Sequence, residues 1–138
     1  MGVCGAMREI LFRGKANWAD GKVKKGDWLY SMTISRHCYN DEEITSYYIG
    51  SGNKTIDGKT LGQFTGLTDK NGKKIFEGDI LKGYWETILT IFFDEISSSY
   101  RVKTSTGQER EPSYYGIDKW EVIGNIHDNP ELLGGGEE

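Results

Sequence analysis

The feature that most constrains this chain is the way glycine interrupts runs of aromatic and β-branched residues. Nineteen of its 138 residues are Gly and only two are Pro, while 17 are Phe, Trp or Tyr. Between the glycines the apolar stretches are short, and the clearest of them alternates with a period of two. Trp28, Tyr30, Met32 and Ile34 project one way, and Leu29, Ser31 and Thr33 the other. That alternation is the mark of a strand with one face turned to a core. No segment sustains a helical period, so the chain is expected to be mainly β, built from short strands with turns between them.

The expected strands cover residues 8–13, 28–34, 63–67, 74–76, 80–85, 87–93, 100–104 and 120–126, with a shorter one at 47–49. The first two are expected to pair across a polar, lysine-rich connection. Asp69-Lys70-Asn71-Gly72 reads as a tight turn, in which Asn71 and Gly72 supply the positive φ such turns require. Glu77-Gly78-Asp79 reads as a second turn, with Asp79 accepting backbone N–H groups across it. Gly66 and Gly78 are expected where a side chain would clash or strain the backbone. Asn129-Pro130-Glu131 has the cap, first-position proline and early acid of one helical turn. Residues 1–6 read as a loose leader and 134–138 as a frayed tail.

Charge and termini narrow the function classes. The chain carries 17 Lys and Arg against 21 Asp and Glu, a formal net charge of −4. Residues 1–62 hold 9 basic and 7 acidic side chains, and residues 63–138 hold 8 and 14, so the halves carry +2 and −6. A footprint for nucleic acid over the whole surface is not expected. No apolar run is long enough to span a bilayer, and no secretory signal is read at the start. Two cysteines, Cys4 and Cys38, make no disulfide scaffold and suggest a reducing, cytoplasmic setting.

Motifs with chemical meaning fail on their spacing. Asp69–Gly72 fails as a calcium loop, which needs Gly sixth and Glu twelfth, because Gly72 is fourth and Ile80 twelfth. Gly50-Ser51-Gly52-Asn53-Lys54-Thr55 fails as a phosphate loop, because Asn53 and not Gly precedes Lys54 and no helix follows. His37 and Cys38 are adjacent, so on a strand they point to opposite faces and His37 does not activate Cys38. Paired zinc-ligand spacing is absent. No cofactor, metal or catalytic constellation is expected.

One segment has a positive case. Arg13, Lys15, Lys22, Lys24 and Lys25 against Asp20 give +4 within residues 13–25, and Trp18 and Trp28 flank the charges. Cations that follow phosphates beside aromatics that stack on bases are the chemistry of single-strand binding. The plainer reading is a lysine-rich hairpin loop at a solvent edge, with Trp28 in the core.

Four blocks then resemble a known family. They are Met7-Arg8-Glu9-Ile10-Leu11-Phe12-Arg13, Trp28-Leu29-Tyr30, the run from Gln63 through Thr65-Gly66-Leu67-Thr68-Asp69-Lys70-Asn71-Gly72 to Ile80, and Glu121-Val122-Ile123-Gly124-Asn125-Ile126-His127-Asp128-Asn129-Pro130-Glu131-Leu132-Leu133. Together they resemble the YopX family of phage and prophage proteins. The resemblance spans residues 7–133 and is weaker over 35–60 and 94–117. It implies an SH3-like C-terminal β-barrel over residues 63–133, with a β-rich N-terminal part over 7–62 packed on it. It also implies a phage or prophage origin and a bacterial cytoplasm. It brings no established activity, catalytic residue or cofactor.

The expected function is therefore a non-enzymatic binding module that engages a protein partner or a second copy of itself. Tyr84, Trp85, Tyr100, Tyr114, Tyr115 and Trp120 supply aromatics for a groove, with some of them in the core. The alternative is nucleic-acid binding through residues 13–28.

Overall fold

The structure is a computed structural model, and it describes residues 8–38, 45–52 and 54–134. The leader at 1–6, Asn53, the acidic run Asp41-Glu42-Glu43 and residues 135–138 lie outside the described residues. The protein is mainly β, with two antiparallel sheets and two short helices among the described residues. It divides into two compact units, with the boundary between Phe64 and Thr65.

In the first unit the strands are β1 (Phe12–Ala16), β2 (Trp28–Ser31), β3 (Ile34–Cys38), β4 (Thr45–Ile49) and β5 (Thr55–Thr68), the last of which runs on past the boundary. Their order is β2-β1-β5-β4-β3. β1 and β2 form a hairpin that places Lys15 opposite Trp28 and Phe12 opposite Ser31. Ala16, Ile49, Ile56 and Phe64 are the buried apolar residues of this unit. Two of its glycines sit at close approaches. A Cβ on Gly14 would enter the Ile56 side chain, and one on Gly58 would enter the Tyr47 ring.

The strand expected at 28–34 is two strands. The Thr33 N–H donates to Ser31 Oγ at 3.1 Å and Gly50 N–H donates to Thr33 O at 3.1 Å, which bends the chain at Met32 and restarts it as β3. The alternation there does not mark a core face: Tyr30 is 54% exposed and Met32 70%. The first strand also lies later than its apolar run suggests. Gly14 and Lys15 belong to β1, and the turn follows them.

The second unit contains β6 (Lys74–Phe76), β7 (Asp79–Lys82), β8 (Ile88–Asp94), β9 (Ser99–Thr104), β10 (Glu109–Arg110) and β11 (Glu121–Asn125). Helices α1 (Pro112–Tyr115) and α2 (Glu131–Gly134) and a 3-10 turn at Ile117–Lys119 complete it. β6 pairs with β5, and Thr65 Oγ1 donates to Ile75 O at 2.8 Å. The remaining strands follow the order β10-β9-β8-β7-β11. That is an open path, and among the described residues its ends, β10 and β11, do not pair. Ile75, Leu81, Leu89, Ile91, Val102, Ile117 and Trp120 form one buried cluster, with Tyr115 and Val122 against it.

Two carboxylates hold the turns of this unit. Buried Asp79 accepts the Phe76 N–H at 2.7 Å across the Glu77-Gly78 turn, where Gly78 has φ +92°. Asp69 Oδ1 accepts the N–H groups of Asn71 and Lys73 at 2.8 and 2.9 Å around Gly72, which has φ +80°. Its Oδ2 accepts the Val122 N–H at 3.0 Å and so ties the turn to β11. Burial opposes the charge on Asp69, but the three N–H groups and the nearby Lys73 outweigh it and hold the pKa below the usual value. Gly66 has φ +92°.

The helical turn after β11 is built differently from its sequence signature. Asn129 Oδ1 reaches back to accept the Asn125 N–H at 3.2 Å. Asn125 Oδ1 in turn accepts the His127 and Asp128 N–H groups, both at 2.9 Å. A Cβ on Gly124 would collide with the Asn129 amide, so the block Gly124 to Asn129 is a packed polar knot.

Candidate functional site

The structure separates the residues of the basic segment by role. Arg13 is only 6% exposed, and its guanidinium lies 4.5 Å from the centroid of the Trp28 ring. Lys15 Nζ lies 5.5 Å from the same centroid. Both cations sit at alternate positions of β1, on the side where Trp28 pairs, so this indole is covered by cation–π contacts. Trp18 is half-buried and its Nε1–H donates to Thr55 O at 2.9 Å. Only Lys22, Lys24 and Lys25 face solvent together. They lie on a tight loop in which Asp20 Oδ1 accepts the Lys22 and Val23 N–H groups, both at 2.7 Å. Those bonds hold the Asp20 carboxyl below its usual pKa.

A concave site is present in the second unit. It is a groove of about 740 Å³, within the usual range for ligand sites. Leu67, Tyr100, Pro112 and buried Ile117 give it an apolar lining, and Arg101, Glu111 and Asp118 border it with charge. One wall is made by α1 and the 3-10 turn. Pro112 at the start of α1 has the φ a helix needs, and Gly116 ends it in the left-handed region at φ 64°. Ile117 then enters the core and fixes the 3-10 turn. Behind this wall Tyr114 meets Tyr115 edge-to-face at 5.0 Å between centroids, and Tyr115 meets Trp120 in the same way at 5.8 Å. The Trp120 Nε1–H donates to Tyr115 O at 3.0 Å.

The charges of the groove are unequally satisfied. Arg101 donates to Glu109 O at 3.4 Å. The Ser97 hydroxyl is the main cause that lowers the Asp94 pKa; burial opposes it, and the Ser97 and Ile96 N–H groups and Arg101 add to it. Arg110 is placed over the Tyr114 ring, 5.3 Å from its centroid. Glu111 and Asp118 are exposed, and among the described residues neither forms an ion pair.

Of the six aromatics expected around a groove, Tyr100 borders this one. Tyr115 and Trp120 support its wall from behind, and Trp120 is 3% exposed. Tyr84 and Trp85 are elsewhere. Their strand ends at Lys82, and Tyr84–Glu86 form a 3-10 turn between β7 and β8. Trp85 and Glu86 have φ of 60° and 59°, and Trp85 is 93% exposed. Lys82 and Glu86 pair at 2.8 Å across this turn. The sequence reading missed Leu67, Arg101, Glu111, Pro112, Ile117 and Asp118. Pro112 followed four residues later by Gly116 was the available signal for a short helical wall.

His37 and Cys38 are both exposed on β3, and His37 packs edge-to-face on Tyr48 at 5.1 Å. Among the described residues no helix is long and apolar enough to cross a membrane.

Fold and site together define a small antiparallel β protein of two units, the second of which carries an open, charged-rimmed groove. The family model for YopX protein matches residues 8–134, and the chain belongs to the YopX family. It is also similar to a solved structure, that of protein EF1440 from Enterococcus faecalis. The two are 24% identical with a TM-score of 0.52, and the match covers 92% of this chain and 99% of that one. That likeness concerns the fold. No curated protein matches the chain.

Proposed function

We propose that this protein is a non-enzymatic binding module, encoded by a phage or prophage and acting in the bacterial cytoplasm, that engages a protein partner through the groove of its second unit. The observation that carries this reading is the groove itself, an apolar cleft with charged groups on a rim that faces solvent. The strand order supports an SH3-like relationship. A meander of β7 to β10, a 3-10 turn, and a last strand returning to pair with β7 follow the order of an SH3-like barrel. Such barrels serve many functions, so the groove and not the fold carries the argument. A second copy of the chain is the other occupant this reading allows.

The test is site-specific photocrosslinking in bacteria that carry the gene. A photoreactive residue replaces Ser113 on the groove wall, and a control replaces Thr106 on the β9–β10 turn. A discrete adduct from position 113 that is absent from 106 is the expected result. Equal labelling from both positions, or none from 113, overturns the reading.

The alternative, single-strand nucleic-acid binding through residues 13–28, is supported by the three exposed lysines of the 20–27 loop. The cover over Trp28 weakens it, because that ring is occupied by Arg13 and Lys15. In this reading the triple variant Lys22→Glu, Lys24→Glu, Lys25→Glu abolishes salt-sensitive tryptophan quenching by oligonucleotides.

A further inference from the structure

We infer that the groove takes an extended peptide segment that places an apolar side chain on Leu67 and Ile117 and a Lys or Arg between Glu111 and Asp118. The inference rests on the groove reading above and adds the chemistry of the partner.

The argument is electrostatic. Of the basic side chains near the groove, Arg101 donates to Glu109 O at 3.4 Å and Arg110 is placed over the Tyr114 ring. The two acidic side chains on the rim have no ion pair among the described residues. An anionic segment would meet two unpaired carboxylates on a rim that holds one arginine, Arg101. A cationic segment meets unused acceptors. The surrounding field acts in the same direction, since residues 63–138 carry −6. A field of one sign over a cleft speeds the arrival of an oppositely charged ligand and rejects others.

The apolar part of the recognition comes from the lining. Leu67 is 37% exposed, and Ile117 and Pro112 lie beside it. β10 pairs with β9 only at Val102 and Lys103, so the groove residues Ser99, Tyr100 and Arg101 are paired on the β8 side alone. The side chains of the groove then select the segment, by one anchor and one or two charges.

The experiment is selection of a random heptapeptide display library on the whole protein at low salt, followed by affinity measurement of the enriched peptides. The expected result is enrichment of peptides with Lys or Arg at a fixed spacing from an apolar residue. The double variant Glu111→Gln, Asp118→Asn should weaken them about fivefold, the effect of two rim charges, and flatten their salt dependence. Leu67→Ala should weaken the same peptides and leave the salt dependence unchanged. All three positions are exposed, and thermal unfolding of each variant checks its fold. Enrichment of acidic or uncharged peptides that still lose affinity on Leu67→Ala overturns the cationic partner and leaves the groove reading intact. No enrichment overturns both.

Discussion

Asp69 shows how much one side chain can organise. It gathers three N–H groups, two from its own turn and one from Val122, fifty-three residues away. Replacing it with Ala strands those donors in a half-buried place and is expected to cost about 2–3 kcal/mol, read as a shift of the urea midpoint. The same residue sets a pH response. Its folded pKa lies below that of an ordinary aspartate, so its contribution is complete at neutral pH and is lost as pH falls below about 4 through the folded value. Urea titrations from pH 7 to pH 2 should show that loss in the parent and a shallower one in Asp69→Asn. Trp85 behaves in the opposite sense. A bulky residue held at φ 60° carries strain of about 1–2 kcal/mol, and nearly full exposure recovers none of it. Trp85→Asn, which tolerates that backbone, is expected to raise stability by about 0.5–1 kcal/mol. An unchanged or lower melting temperature would contradict the strain.

At the scale of elements, what the sequence made legible follows burial. β8 and β9 fall almost where their apolar runs place them, because Leu89, Ile91 and Val102 all enter one core. The 28–34 run misleads because two of its alternating residues, Tyr30 and Met32, are large but open to solvent, so hydrophobicity there reports no interior. The groove was not legible at all. Its lining comes from β5, β9 and the segment of α1 with its 3-10 turn, three pieces apart in sequence, and a four-residue helix is too short to show a period. Four residues, Asp69 to Gly72, sufficed to name their turn, whereas the role of Gly83 needed the fold. A Cβ on Gly83 would enter the indole of Trp120. Gly83→Ala is therefore expected to cost about 1–3 kcal/mol and to displace that ring. An intact Trp120 emission at parental stability would refute the contact.

At the scale of the molecule, the two units differ in how they are held. Among the described residues, the second buries a continuous cluster of seven apolar residues, and the first buries four, two of them on β5. Amide exchange in the intact protein should rank accordingly. The slowest amides are expected in β7, β8 and β9, and those of β2 and β3, at the ends of the first sheet, should exchange earlier. Uniform protection across both sheets would refute that ranking. The stacked rings behind the groove wall have a further, optical consequence. Tyr114, Tyr115 and Trp120 follow one another at 5.0 and 5.8 Å, from solvent to interior. Light absorbed by the two tyrosines is handed inward to the indole, so the wall of the groove is wired as an antenna. Any ligand that shifts α1 changes that transfer, and the protein reports its own occupancy without a dye.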